Sequence, residues 1–314
     1  MFSGSAHRDL AEAICRHLEV PLSPATVSRF TNDCLQVQLN ANCREADVFV
    51  IQPLVPPVHE HLMELLQMLD AARGASASRT TAVIPYYGYA RSDKKDAPRI
   101  SIAGRLTADL LVTAGASRAL TMTLHADQVH GFFSIPVDHL HALHILAEHF
   151  SDRDRDNMVV VSPDLGRAKD AAHFGRLLDV SVAAGNKRRV SDQRVEIDTI
   201  VGDVRGKDVI VLDDEIANGG TIVELLSRLR EREAGEISVA CTHGLFTGPA
   251  IDRFSAQEDI REWVTTDTIP RPAERTLPNL VSLSVAPLVG EAIRRIHHGE
   301  SVSSLFAAPD WMAG

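Results

Sequence analysis

The sequence predicts an α/β protein of two domains, each a mainly parallel β-sheet flanked by helices. Short runs rich in β-branched residues alternate with helical periodicity along the chain, which is typical of parallel strands joined by helical crossovers. A length of 314 residues suits two such domains with cores of their own. Residues 209–222, VIVLDDEIANGGTI, lead from an apolar run into paired carboxylates and a glycine turn. In open α/β sheets, ligands bind at such strand ends.

The first half contains three predicted strands separated by two helices. The strands are predicted at 46–52, 81–85 and 119–124, the last ending at His125, and the helices at 58–72 and 102–114. Leucines at helical spacing define the inward faces: Leu62, Leu65, Leu66 and Leu69 in the first helix, and Leu106, Leu110 and Leu111 in the second.

The second half repeats this scheme. Strands are predicted at 158–162, 209–212 and 237–242, and a helix at 221–232. The first of these strands leads into Asp164 and the second into Asp213. The inward face of the helix is predicted to carry Ile222, Leu225, Leu226 and Leu229. The carboxyl ends of both strands therefore carry carboxylates.

The domain boundary is predicted near residues 138–157, where the apolar pattern gives way to a histidine-rich segment and then to the charged run SDRDRDN. This divides the chain into domains at 1–141 and 142–290. Residues 291–314 then form a C-terminal helix and tail that pack back on the body.

Composition argues against several classes of protein. A formal net charge of −10 disfavours a nucleic-acid partner. No apolar run approaches the roughly 18–20 residues that span a bilayer, so no membrane partner is expected. The N-terminus MFSGSAHRDL lacks the charged and apolar regions of a signal peptide. Four cysteines without metal-ligand spacing indicate reduced thiols and a cytoplasmic enzyme.

The strongest chemical signal is the segment that follows the strand at 209–212. Adjacent carboxylates at Asp213 and Asp214 accept hydrogen bonds from hydroxyl groups, as in the diol of a ribose, or help to hold a divalent metal. The glycines of the next turn let the backbone approach a phosphate, and the helix start supplies oriented N–H groups. A purely structural turn capped by Thr221 is the alternative interpretation.

This segment resembles the ribose-phosphate binding loop of the type I phosphoribosyltransferase fold. Over nearly the whole chain, the sequence resembles the ribose-phosphate pyrophosphokinase family. The resemblance rests on the runs FSGSAH, RFTNDCLQVQLNANCREADVFVIQP, LMELLQMLDAARGASASRTTAVIPYYGYARSDKKD, TMTLHADQVHGFFSIPVD, VVVSPDLG, NKRR, IVGDVRGKDVIVLDD, THGLFTGPA, TDTIP and EAIRRIHHGESVSSLF. Their order and spacing carry more weight than any one run.

The resemblance implies two tandem phosphoribosyltransferase-like domains, with ATP bound on the N-terminal side and ribose 5-phosphate on the C-terminal side. The implied reaction transfers the β,γ-diphosphoryl group of MgATP to the C1 hydroxyl of ribose 5-phosphate, giving phosphoribosyl diphosphate and AMP. It also implies Mg²⁺ as cofactor and self-association to dimers and hexamers, with the ATP site shared between subunits.

The resemblance assigns roles to particular positions of this chain. The catalytic residues are Lys187 and Arg189, which lie on a mobile loop in the family, and His125. The ATP-binding residues are Phe30, Asn32, Cys34, Arg91, Ser92 and His125. The ribose 5-phosphate residues are Asp213, Asp214, Ala217, Asn218, Gly219, Gly220 and Thr221, and the metal ligands are His125 and Asp164.

Several positions depart from the family pattern, and they cluster at these sites. Cys34 replaces a glutamate, Ser92 a glutamine, Thr123 an aspartate, Arg167 a glycine, Asp170 an arginine, and Ala217-Asn218 an Asp-Thr pair. Cys34 and Ser92 put strict adenine recognition in doubt, because a thiol does not replace a carboxylate as acceptor. Ala217 removes a carboxylate but leaves the backbone loop, as in adenine phosphoribosyltransferases.

Three functions are compatible with this pattern. The first is an active ribose-phosphate pyrophosphokinase, favoured by the presence of Lys187, Arg189, His125, Asp164 and both aspartates of the loop. The second is a non-catalytic homologue that regulates an active partner, suggested by the substitutions at the nucleotide site. The third is a related transferase that uses phosphoribosyl diphosphate or another pentose phosphate.

Overall fold

The computed structural model describes residues 1–189, 195–271 and 277–305. These residues form two compact units, each folded around its own sheet. The first unit holds Met1–His141, Thr268–Pro270 and residues 284–305, and the second holds Ala142–Asp267 and Arg271–Leu283. Helices flank the main sheet of each unit, which confirms the predicted α/β class.

The first unit is built on a five-stranded parallel sheet. In chain order its elements are β1 (Phe2–Ser3), α1 (Arg8–His17), β2 (Ala25–Arg29), β3 (Leu35–Leu39), β4 (Asp47–Ile51), α2 (Val58–Gly74), β5 (Arg79–Ile84), α3 (Ala103–Ala114), β6 (Arg118–Met122) and β7 (Val137–Leu140). The sheet order is β1-β4-β5-β6-β7, with every pair parallel. β2 and β3 form a separate antiparallel hairpin.

The second unit is built on a seven-stranded sheet. Its elements are α4 (Leu143–Phe150), β8 (Met158–Ser162), α5 (Ala168–Leu178), β9 (Ser181–Arg189), β10 (Val195–Val201), β11 (Asp208–Ile216), α6 (Gly220–Glu231), β12 (Ile237–Gly244), α7 (Ala250–Ser255), β13 (Ile260–Thr266) and β14 (Leu280–Leu283). The order is β10-β9-β8-β11-β12-β13-β14, and only the edge strand β10 runs antiparallel to its neighbour.

The central strands of the second unit are apolar at nearly every position because both faces of the sheet are covered. One face joins a cluster with α6 that contains Val159, Val161, Val209, Val211, Leu225 and Leu229. The opposite face joins a cluster with α4 and α5 that contains Phe150, Val160, Phe174, Ile210 and Leu212. Successive residues of β8 and β11 thus alternate between two cores. This explains why the apolar runs are continuous.

The predicted helix faces are confirmed in two helices and wrong in the third. All four predicted residues of α6 are buried, and in α2 Leu65 and Leu69 are buried while Leu62 and Leu66 are half-buried. In α3 the prediction is wrong for two residues of three, since Leu106 is 47% and Leu110 38% exposed.

The buried stripe of α3 consists of smaller residues than the sequence pattern suggests. Its members are Gly104, Thr107, Ala108 and Leu111, at the i, i+3, i+4 and i+7 positions. A Cβ on Gly104 would lie 3.1 Å from the carbonyl oxygen of Tyr89. The helix therefore approaches the loop after β5 closely, and small side chains at the contact permit this.

The C-terminal helix α8 (Ala286–His298) belongs to the first unit. It packs against α1, and Arg79 donates a hydrogen bond to its Ile296 carbonyl oxygen at 3.4 Å. The predicted division after Gly290 falls inside this helix. In the described residues, no helix is both long and apolar enough to cross a membrane.

Candidate functional site

The turn between β11 and α6 has the geometry of an anion-binding loop. Gly219 is the N-cap of α6 and has a left-handed backbone, with φ +74°. The side-chain oxygen of Asn218 accepts a hydrogen bond from the N–H of Gly220 at 3.0 Å. The Asn218 carbonyl oxygen accepts one from Arg253 at 2.9 Å. The first turn of a helix offers N–H groups without intrahelical partners, so this turn suits a phosphate.

The paired aspartates lie within β11 rather than after it. The strand continues to Ile216, so the predicted end at Leu212 is wrong. Asp213 lies beside Cys241 of β12, and its Oδ1 accepts the N–H of Asp214 at 2.9 Å. Burial, together with the charge of Asp214, raises the pKa of Asp213. Two carboxylates this close disfavour simultaneous ionisation, so a neighbouring cation matters here.

Arg167 supplies that cation. Its Nη2 lies 2.5 Å from Oδ2 of Asp214, and its Nη1 lies 3.1 Å from Oδ2 of Asp170. The Asp214 side chain is only 3% exposed. Arg167 is three residues beyond Asp164, in the turn that follows β8. Arg167 and Asp170, which both depart from the family pattern, are therefore in direct contact with each other.

Asp164 caps the short 3₁₀ turn at Leu165–Arg167. Its Oδ1 accepts the backbone N–H of Arg167 at 3.1 Å, and Ser162 donates its hydroxyl to the Asp164 carbonyl oxygen at 2.7 Å. Carboxylate oxygen is the donor type that Mg²⁺ prefers, so Asp164 fits the predicted metal ligand.

Lys187 and Arg189 have a strand backbone, whereas the resemblance implied a loop. β9 continues through Arg189, with Lys187 opposite Ile197 and Arg189 opposite Val195 of β10. The side chains of both cations, and residues 190–194, lie outside the described part of the chain. Their catalytic assignment stays a prediction.

In the first unit, His125 lies in a turn three residues after β6, not directly at the strand end as predicted. Thr123 in this turn has φ +40°, a rare conformation for a β-branched residue. Thr123 donates its N–H to the Leu140 carbonyl oxygen at 2.8 Å, and Leu124 donates to Nε2 of His139 at 2.9 Å. Strand β7 therefore holds the turn that presents His125, which is half-buried.

His139 also lies near Asp127 and His141, and one ligand atom from each lies within 4.8 Å of the others. Because Nε2 of His139 already accepts the Leu124 N–H, its other ring nitrogen carries the proton in the neutral ring. That proton occupies the position a metal would need, so the arrangement supports the turn rather than a metal.

The predicted adenine-contacting residues share one hairpin loop between β2 and β3. Phe30 is 52% exposed at the loop. Two backbone hydrogen bonds order the loop. The Phe30 N–H donates to the Cys34 carbonyl oxygen at 2.9 Å, and the Asp33 N–H donates to the Phe30 carbonyl oxygen at 2.9 Å. The side-chain oxygen of Asn32 accepts the Cys34 N–H at 3.2 Å. The structure thus presents an exposed aromatic ring on an ordered support, beside an exposed thiol.

Arg91 and Ser92 follow β5 in the same unit. Arg91 is exposed, whereas the Ser92 hydroxyl is engaged locally. It donates to the Ser101 carbonyl oxygen at 3.2 Å and accepts the Ala103 N–H at 2.9 Å, at the start of α3. Ser92 therefore helps to anchor α3.

The predicted residues divide into two groups according to the unit that holds them, and in the second unit Arg167 contacts both Asp164 and Asp214. Asp164, Asp213, Asp214 and the turn at 217–221 belong to the second unit, and the nucleotide-side residues with His125 belong to the first. Sequence reasoning missed the roles of Arg167, Arg253 and His139 in supporting these groups. Arg167 and Asp170 were visible as paired departures of opposite charge three residues apart, which is the spacing of an ion pair.

Comparison with known proteins extends the resemblance over both units. A family model of the N-terminal domain of ribose phosphate pyrophosphokinase matches residues 1–115, and a model of the phosphoribosyl synthetase-associated domain matches residues 188–307. A protein of Streptomyces coelicolor is 65% identical over 98% of this chain and 97% of its own length. The ribose-phosphate pyrophosphokinase of Deinococcus radiodurans is 50% identical over 98% of this chain and 97% of its length.

A solved structure agrees with these relatives. The crystal structure of phosphoribosylpyrophosphate synthetase from Mycobacterium smegmatis matches with a TM-score of 0.89 and 40% sequence identity, covering 95% of this chain and 98% of that one. At this coverage the similarity extends over both units.

Proposed function

The chain belongs to the ribose-phosphate pyrophosphokinase family, and from that membership we propose that it transfers the β,γ-diphosphoryl group of ATP to the C1 hydroxyl of ribose 5-phosphate. The C1 oxygen forms a bond to the β-phosphorus, and the bond from that phosphorus to the α,β-bridging oxygen breaks. The products are 5-phosphoribosyl 1-diphosphate and AMP, and the hydroxyl proton is released. The β11–α6 turn supports this proposal most directly. It lies in a chain that is similar to members of this family over 95–98% of its length.

The acceptor side of the reaction depends on the second unit. The N–H groups at the start of α6 bind the 5-phosphate, and Asp213 and Asp214 accept hydrogen bonds from the pentose hydroxyls. Asn218 and Arg253 support the turn through the bonds described above. The sugar is then fixed at both ends, which orients its C1 hydroxyl for attack.

The donor side depends on charge rather than on covalent catalysis. Phosphoryl transfer of this type requires alignment and stabilisation of negative charge. Lys187 and Arg189 stabilise the migrating diphosphoryl group, and Phe30, Asn32, Cys34, Arg91 and Ser92 bind the nucleotide. Asp164 of the second unit and His125 of the first are each assigned as a ligand of Mg²⁺, an ion that would neutralise phosphate charge; the carboxylate of Asp164 supports its own assignment.

The proposed function includes self-association of the chain and a cytoplasmic location. The protein forms dimers that build hexamers, and Phe30 reaches the adenine of a neighbouring subunit. The exposure of its ring at the hairpin loop supports this assignment. All four cysteines are free thiols, which suits the reducing cytoplasm.

The direct test is an assay with purified protein, Mg²⁺, ATP and ribose 5-phosphate, following AMP and phosphoribosyl diphosphate together. Equal amounts of the two products are expected. Absence of AMP with several nucleotides and pentose phosphates would contradict the proposal. Stimulation of an active family member under those conditions would instead indicate a regulatory subunit.

Thiol modification tests the nucleotide site. Cys34 is exposed, whereas burial raises the pKa of Cys15, Cys43 and Cys241, the last to about 12. Iodoacetamide at mildly alkaline pH is therefore expected to label Cys34 first, because the thiolate is the reactive form. If Cys34 lines the nucleotide site, saturating ATP slows this labelling. Mass spectrometry of the digested protein measures it, with ribose 5-phosphate alone as control; equal rates with and without ATP would refute the assignment.

A further inference from the structure

The guanidinium of Arg167 connects two carboxylates in very different surroundings. Its contact with Asp214 reaches a side chain that is 3% exposed, whereas its contact with Asp170 reaches one that is 43% exposed. The Arg167 side chain is itself only 16% exposed. An exposed ion pair contributes little, and a buried one strongly affects the groups in contact with it. The contact with Asp214 is therefore the one of consequence.

The backbone of Arg167 also makes a hydrogen bond within this site. Its N–H donates to Oδ1 of Asp164 at 3.1 Å, at the end of the 3₁₀ turn that leads into α5. The backbone of Arg167 thus contacts the proposed metal ligand, and its side chain contacts the paired aspartates of β11. Both attachments lie within the second unit.

A cation at this position acts on the paired aspartates of β11. Asp213 and Asp214 are neighbours in a buried strand, and two such carboxylates tend to share one proton. A carboxylate is purely an acceptor, able to take hydrogen bonds from hydroxyl groups at both oxygens, only when it is ionised. Burial and the charge of Asp214 raise the pKa of Asp213, and the positive charge of Arg167 opposes that rise. Arg167 contacts Asp214 directly, so the same attraction acts on that carboxylate.

Two departures from the family pattern, at positions 167 and 170, are related to each other. Arg167 stands in place of a glycine and Asp170 in place of an arginine, and the two side chains are ion-paired at 3.1 Å. The arginine of this segment therefore lies three residues earlier than in the family pattern. At this earlier position the cation contacts Asp214.

We propose that Arg167 is a positioning residue for ribose 5-phosphate, holding the Asp214 carboxylate ionised and in a fixed orientation to accept the pentose hydroxyls. The inference rests on the proposed function and extends it to a residue that the family pattern does not supply. Arg167 acts through Asp214, while Asp170 is a secondary partner.

The test begins with Arg167→Met, which keeps an unbranched apolar stem and removes the guanidinium with its charge. We expect KM for ribose 5-phosphate to rise about tenfold or more, because a charged hydrogen-bond partner of a buried carboxylate is lost. KM for ATP should stay within about twofold of the wild type, since the change lies on the acceptor side. Arg167→Lys should restore part of the affinity, and Asp170→Asn should leave KM for ribose 5-phosphate within about twofold.

A double-mutant cycle with Asp214→Asn separates positioning from direct contact. If Arg167 acts through Asp214, adding Arg167→Met to Asp214→Asn causes no further rise in KM for ribose 5-phosphate. Additive effects, or an Asp170→Asn effect as large as that of Arg167→Met, would overturn the inference. Should Arg167→Met fail to fold, Arg167→Gln takes its place in the cycle.

Calorimetric titration with ribose 5-phosphate provides a readout that does not depend on turnover. Binding should weaken in Arg167→Met by the same factor as KM rises. A wild-type protein that forms no AMP would refute the proposed function. An active wild type with unchanged ribose 5-phosphate binding in Arg167→Met would refute only the role of Arg167.

Discussion

Replacing Lys187 with alanine is expected to lower kcat by about a thousandfold or more, the magnitude associated with a cation that stabilises a migrating phosphoryl group. The charge is needed in the transition state more than in the ground state, so kcat falls while substrate binding changes little. The measurement is AMP formation at saturating ATP and ribose 5-phosphate. Calorimetric binding of ribose 5-phosphate should stay within about twofold of the wild type, because the β11–α6 turn, and not Lys187, is the proposed site of this substrate.

Arg188→Ala is the matched control, because it removes one cation from the same run at a position to which the resemblance assigns no role. Lys187, Arg188 and Arg189 all have their backbone in β9, paired with β10. A general loss of positive charge or of strand pairing would affect both variants alike. Equal kcat values for Lys187→Ala and the wild type would refute the assigned role, and equal losses in Lys187→Ala and Arg188→Ala would refute its specificity.

The strands of the two cores were predictable because burial on both faces makes their sequences continuously apolar. β8 was predicted with the bounds that it has, and the inward face of α6 was predicted in full. β11 was predicted five residues too short, one at its start and four at its end, where Asp213 and Asp214 interrupt the apolar run. Hydrogen bonding to β12 continues past both residues, as Asp213 pairs with Cys241 and Ile216 with Gly244. Tertiary pairing therefore overrides the local pattern.

The supports of the site were less predictable, because they depend on contacts between distant parts of the chain. Arg167 meets Asp214 across 47 positions of sequence, and Arg253 meets Asn218 across 35. No local periodicity encodes such contacts. The reversed charges at Arg167 and Asp170 were a usable signal. Their spacing predicts an ion pair between Arg167 and Asp170. It does not predict that Arg167 also contacts Asp214 of β11.

The β11–α6 turn offers a second experiment with a large expected effect, the substitution Gly219→Ala. Gly219 has φ +74°, and an added Cβ would overlap the ring of Phe254. That ring is fully buried and packs on Trp263 with centroids 4.3 Å apart, so it cannot move aside without disturbing the core. The left-handed backbone costs an alanine about 1–2 kcal/mol and the overlap about 1–3 kcal/mol. Denaturant unfolding measures the combined loss.

Gly220→Ala is the control that separates the needs of the fold from those of the ligand. A Cβ at Gly220 meets its nearest atom, Oδ1 of Asn218, at 3.4 Å, which is ordinary contact. Alanine also favours a helix start over glycine by up to about 1 kcal/mol, so the stability of this variant should not fall. If the 5-phosphate rests against this backbone, KM for ribose 5-phosphate nevertheless rises about tenfold, because the new methyl group occupies its place. Unchanged stability and KM in Gly219→Ala would contradict the described turn, whereas an unchanged KM in Gly220→Ala alone would place the phosphate elsewhere on the loop.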